Sequence, residues 1–141
     1  FSGADGIPGW PRLGEKVPIF MQEHSPFILR GYRVGYTIAQ SFVSAVPVVA
    51  PMHNDSCNIW THLAPGFVFT YLMFSQSLAV VDGVDVSMLC FYSAAAFMFN
   101  ASAVYHTFRC VSSRLASTLL QIDIMGIGVM ISGSYVVSYV E

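Results

Sequence analysis

The chain has 141 residues, of which 55% are apolar and only 10% charged, where an ordinary soluble domain carries roughly 25% charged residues. Six basic and eight acidic side chains, a net charge of −2, cannot cover a water-facing surface, and they leave no electrostatic footprint for nucleic acid. Three cysteines (Cys57, Cys90 and Cys110) are odd in number and widely spaced, matching neither a disulfide framework nor a zinc finger.

In chain order, the first residue is Phe1, no signal-peptide pattern follows it, and Glu141 comes directly after a hydrophobic stretch. Both ends therefore read as cut, and the chain is expected to be a piece of a longer protein. Residues 1–40, with Pro8, Pro11, Pro18, Pro26 and several glycines, form an irregular cytosolic or interfacial lead-in. Residues 41–58 read as an interfacial segment. The apolar stretch 41–52 is broken by Pro47 and Pro51 and is short for a span, which needs about 20 residues. A segment lying on the membrane surface is the preferred reading, with a kinked fourth span counted back to Tyr36 as the alternative.

Region 59–141 carries three candidate spans at about 63–81, 86–108 and 115–140. The first has no charged residue, the second holds His106, and the third holds Asp123 as its one ionisable group. Each is long enough to cross a hydrocarbon core of about 30 Å as a helix. Lipid offers no partners to an open backbone, so the fold class is all-α, a polytopic transmembrane helical bundle.

Arg12, Lys16, Arg30 and Arg33 precede the first span, and Arg109 and Arg114 lie between the second and third. The loop between the first two spans holds Asp82 and Asp85. All six basic residues thus fall on one side of a three-span chain, which places the N-terminus in the cytosol and Glu141 on the opposite side. A fourth crossing would split them.

A carboxylate inside a span is costly and normally faces a partner, so Asp123 is the first candidate site residue. Antiparallel neighbours would bring His106 to a similar depth. The two could be a functional pair or a polar pair that only joins two helices. Ser102 lies one turn before His106, on the same face. An imidazole is the commonest metal ligand, but zinc needs three or four protein ligands, and His24, His53 and His62 form no recognisable ligand pair. Between His53 and His62, helix capping and the interfacial anchoring of Trp60 account for the residue types. Ala94–Ala96, Ala101–Ala103, Gly126, Gly128, Ser132 and Gly133 suit close helix packing in lipid. Gly126-Ile127-Gly128 lacks the strand and the acidic partner of a nucleotide site.

His53-Asn54-Asp55 followed by Asn58-Ile59-Trp60-Thr61-His62-Leu63 resembles the signature of the progestin and adipoQ receptor (haemolysin III-like) family, with Asp55 in place of the usual Glu. Val17-Pro18 and Gly31-Tyr32-Arg33 upstream, and Ser102-x-x-x-His106 and Asp123-x-x-Gly126 downstream, fit the same family in order. The resemblance implies a seven-helix protein of which these are the first three helices. It implies zinc held by His106 with two histidines of an H-x-x-x-H pair, which this chain lacks. Asp123 then corresponds to the aspartate that contacts the zinc-bound water, and Ser102 to the serine one turn from the ligand. The implied activity is hydrolysis of a ceramide-type lipid amide. A steroid or protein-hormone receptor, or a membrane scaffold without turnover, is the alternative. Expected partners are membrane lipids, a lipid-amide substrate or hormone ligand, and the remaining helices of the full-length protein.

Overall fold

The structure, a computed structural model, describes residues 19–22, 31–33, 35–50, 52–78 and 85–140. Arg12, Lys16, Val17-Pro18, His24, Arg30, Asp82, the end of the first expected span and Glu141 lie outside the described residues. Five helices follow one another: α1 (Ile19–Gln22), α2 (Ile38–Ser44), α3 (Ser56–Leu78), α4 (Val86–Phe108) and α5 (Ser113–Val140). Helices α3, α4 and α5 form the bundle, α4 packing against both of the others.

The second expected span, 86–108, is α4 itself. Asp85 caps it, its Oδ1 accepting from the Ser87 hydroxyl at 2.7 Å and from the Met88 backbone N–H at 3.0 Å, an orphan donor of the first turn. The third expected span opens at Ser113, two residues before its expected start. The first differs more. Helix α3 begins at Ser56, so the last three residues of the expected interfacial segment and the polar run Asn58–His62 are already helical. A search for uncharged stretches passes over these turns, yet Ile59 N–H bonds to the Asp55 carbonyl at 2.9 Å and opens the helix there.

Helices α4 and α5 are long and apolar enough to cross a membrane. Their outward faces carry Val104, Ile124, Ile127, Ile131 and Tyr135, all well exposed, a surface that water would not tolerate. Helix α2 is a two-turn helix followed by turns, far too short to cross. Thr37 and Gln40 start it with a reciprocal capping box, the Thr37 N–H donating to Gln40 Oε1 at 2.9 Å. Its polarity is inverted relative to a helix on a soluble protein. Ser41 and Ser44 are buried while Ile38 and Phe42 face outward.

Small residues set the helix spacing. A Cβ on Gly133 would stand 2.6 Å from the Ala94 Cβ, and one on Gly126 would stand 3.0 Å from the Met98 Cα. Between α3 and α4, Asn100 Nδ2 donates to Thr70 Oγ1 at 3.1 Å, while also donating to Ala96 O of its own helix at 2.8 Å. A Cβ on Gly66 would meet the Asn100 side chain at 2.8 Å. Phe69 stacks on Phe99 at 5.6 Å beside this contact.

Candidate functional site

One end of the bundle is closed by a buried polar network centred on Asp55, which stands immediately before α3 and is 2% exposed. Its Oδ2 accepts from Arg33 at 3.3 Å. Its Oδ1 faces His106 Nδ1 at 3.2 Å and Arg109 at 3.5 Å. Burial by itself would raise the Asp55 pKa. The hydrogen bond from His106 and the charges of Arg109 and Arg33 outweigh it and hold the carboxyl below its usual range.

Arg33 is fully buried. Besides Asp55 it donates to Ser44 Oγ at 3.0 Å, to the Thr107 carbonyl at 2.9 Å and to the His106 carbonyl. The last two are among the carbonyls that a helix leaves unbonded at its C-terminus, so one guanidinium both caps α4 and meets the negative end of its dipole. Gly31, at φ +82°, turns the chain into this position, and its carbonyl accepts from the Asn54 N–H at 3.0 Å. Arg109 reaches back to the Met21 carbonyl at 3.4 Å and lies over the Tyr105 ring. Met21, Tyr32, Tyr36 and Cys110 form the apolar cluster beneath.

Because Asp55 is an ionised acceptor, the proton between it and His106 belongs to the imidazole. Nδ1 therefore carries hydrogen, and in the neutral ring this leaves Nε2 as the lone-pair nitrogen. Ser102, 5% exposed, lies one turn below on the same face of α4. The Met98–Gly126 and Ala94–Gly133 contacts fix an antiparallel register between α4 and α5. That register sets the half-buried Asp123 close to the level of Ser102, about a turn from His106. Asp123 and His106 are not joined by a hydrogen bond among the described residues. The carboxylate that holds His106 is Asp55. Nor do three or more His, Cys, Asp or Glu side chains among the described residues gather closely enough to hold a metal.

Two residues of the His53–His62 motif have specific places. The Asp55 N–H donates to His53 Nδ1 at 3.2 Å, so His53 Nε2 carries the hydrogen and donates to the Ser44 carbonyl at 3.2 Å. A second ring proton would point one N–H at another. Burial, then the Arg33 charge, push the His53 pKa down to about 4 from 6.5. A depressed histidine contributes its stability above its unfolded pKa and loses it as pH falls through the folded value. Between pH 6.5 and 4 the protein is therefore expected to lose up to about 3 kcal/mol at this residue. A thermal-unfolding series over that window, with His53→Gln flattening the slope, checks it. His62 Nδ1 donates to the Asn58 carbonyl at 2.7 Å, and its ring centre lies 6.0 Å from that of His106.

Asp55 is the residue that sequence reasoning missed as part of the site. Its signal was present, since it occupies the acidic position of the motif, but capping accounted for it equally well.

Fold and site together define a helical membrane bundle locked at one end by a buried arginine–carboxylate–imidazole network. The family model described as Haemolysin-III related matches residues 50–140, and the chain belongs to this family of integral, receptor-like membrane proteins. It is 33% identical to heptahelical transmembrane protein 1 of Arabidopsis thaliana, over 85% of this chain and 38% of that protein. It is 31% identical to the ADIPOR-like receptor IZH2 of Saccharomyces cerevisiae, over 94% of this chain and 39% of that protein. With the adiponectin receptor protein of Drosophila melanogaster it shares 25% identity, over 86% of this chain and 28% of that protein. The chain thus spans two fifths or less of the length of these relatives.

Proposed function

We propose that this chain supplies part of a zinc site in a seven-helix, receptor-like hydrolase that cleaves a ceramide-type lipid amide. The carrying observation is the imidazole of His106, whose Nδ1 is held by a carboxylate at 3.2 Å, an arrangement that in the neutral ring leaves Nε2 for a metal. The described residues fit zinc as one ligand. The full-length protein has to supply the others, for which the family pattern implies an H-x-x-x-H pair. Zinc, when bound, provides Lewis acidity and activates water near neutral pH. His106 would hold the metal through Nε2, a carboxylate oxygen of Asp123 would take up a proton and return it to the leaving amine, and the Ser102 hydroxyl would orient the reacting groups. An apolar cleft of about 480 Å³, lined by Met73, Ala101, Val104, Leu119 and Ile122 among others, borders the same level of the bundle and suits an acyl chain.

The test uses the purified full-length protein. Stoichiometric zinc and chelator-sensitive ceramide hydrolysis are expected, with His106→Ala losing the metal and at least about a hundredfold in rate. A metal-free wild type, or full turnover in His106→Ala, would sink the reading. The relatives named as receptors favour a second reading, a hormone receptor without turnover. Ligand-dependent signalling that survives His106→Ala would select it.

The same proposal places α2 at the membrane surface, α3 across the membrane beside α4 and α5, and the N-terminus in the cytosol. Arg33 and Arg109 meet on one carboxylate, so the lead-in and the α4–α5 connection share one end of the bundle, as a positive-inside arrangement requires. An epitope ahead of Phe1 should be reached from the cytosolic face alone. Labelling from outside intact cells would reverse the orientation.

A further inference from the structure

An imidazole on a helix can present either nitrogen and turn about two side-chain bonds, and a metal site needs one nitrogen in one place. In metal sites generally this is settled by an acceptor on the other ring nitrogen. Here the acceptor is already in place, and it comes from a different element. Asp55 Oδ1 stands 3.2 Å from His106 Nδ1, across 51 residues of sequence.

We propose that Asp55 is the positioning residue of the metal site: its carboxylate fixes the tautomer and rotation of His106, and Arg33 and Arg109 fix the carboxylate. This deepens the zinc reading and rests on it. Three observations carry it. Asp55 is buried with two guanidiniums on it, so it cannot swing away with a loop. Arg33 bonds at once to Asp55 and to the backbone carbonyls of His106 and Thr107. The acceptor and the helix turn bearing the imidazole are thereby held in one frame. The Asp55 backbone is held too, since Asp55 N–H bonds to His53 Nδ1 and the Asp55 carbonyl opens α3. A carboxylate needed only to neutralise arginines would not have to put an oxygen on the imidazole.

A purely structural role for Asp55 makes different predictions. It would destabilise the fold when removed and leave the zinc affinity of the folded fraction alone. A positioning role changes that affinity. Losing an acceptor on the far nitrogen typically weakens metal binding ten- to a hundredfold.

The first experiment needs no variant. Full-length protein labelled with 15N-histidine, stripped of metal, is compared with His106→Gln to assign the ring. At a pH where the ring is neutral, His106 should be protonated at Nδ1. Protonation at Nε2 would overturn the proposal whether or not the protein binds zinc. The second experiment is zinc affinity by chelator competition, normalised to folded protein by thermal denaturation. Asp55→Ala should lose roughly ten- to a hundredfold. Asp55→Asn, which keeps one acceptor oxygen, should lose less, and Asp55→Glu should recover most of the affinity. Affinities of folded Asp55→Ala within twofold of wild type would overturn it. A wild type with Nδ1 protonated but no zinc would instead defeat the zinc reading and leave Asp55 an anchor of the ring alone.

Discussion

Arg33→Ala is expected to cost about 3–5 kcal/mol, the range for breaking a buried charge pair by removing one partner. The guanidinium is fully buried and serves four acceptors, Ser44 Oγ, Asp55 Oδ2 and the carbonyls of His106 and Thr107. Alanine leaves the two carbonyls without their charged donor and Asp55 with half its compensation. Water admitted to the space recovers part of that, which sets the lower end of the range. Arg33→Lys keeps the charge but not the planar fork, and a single ammonium cannot face all four acceptors in the same geometry. It should fall between the two. Thermal or denaturant unfolding in detergent reads the difference. An Arg33→Ala protein within 1 kcal/mol of wild type would mean that the network contributes little to holding the lead-in on the bundle.

The second large effect belongs to a glycine pair within α5. Gly133→Ala places a methyl 2.6 Å from the Ala94 Cβ, a contact between two carbons fixed to helix backbones. No side-chain rotation relieves it, so α4 and α5 must separate locally. That forfeits the dispersion contacts which hold helices together in lipid. A loss of about 2 kcal/mol or more is expected, in line with overpacked cores. Gly128→Ala is the matched control, because a Cβ there meets nothing within 4 Å and alanine is the better helix former. It should be neutral or slightly stabilising. Equal effects at both positions would show that backbone propensity, and not helix approach, governs α5.

The bundle itself was legible in the sequence because lipid imposes a simple rule: long uncharged stretches become helices. The bounds 86–108 of α4 follow from it, and the start of α5 comes within two residues, since Asp85 and the arginines around the α4–α5 connection mark sharp polarity changes. The start of α3 was not legible by that rule. Its first turns carry Thr61 and His62, whose side chains bond to the backbone carbonyls of Cys57 and Asn58 and let polar residues sit in helical turns. At the site, Ser102 and His106 were legible as a pair because i and i+4 is a local relation. The Asp55–His106 pair was not, because no local period links residues 51 apart. Arg109 was read only as a charge that marks the side of the membrane, and Arg33 as such a charge within a stretch that resembles the family. Their burial follows from the carboxylate between them, and that became visible only when the chain was folded. Asp123 is half-buried on α5. Its relation to His106 is one of depth rather than contact.

Arg33 and Thr107 lie 74 residues apart in the chain and 2.9 Å apart in space. A ribosome extends the chain from its N-terminus, so Arg33 and Asp55 are both made well before the carbonyls and the imidazole that complete their set. Until the far end of α4 has been synthesised and has come alongside, the set of partners around each charge is incomplete. The loop-closure cost of bringing such distant segments together rises only slowly with length, so the delay is set by the order of synthesis and not by the span. Arg33 therefore completes its set of acceptors only once α4 has been made.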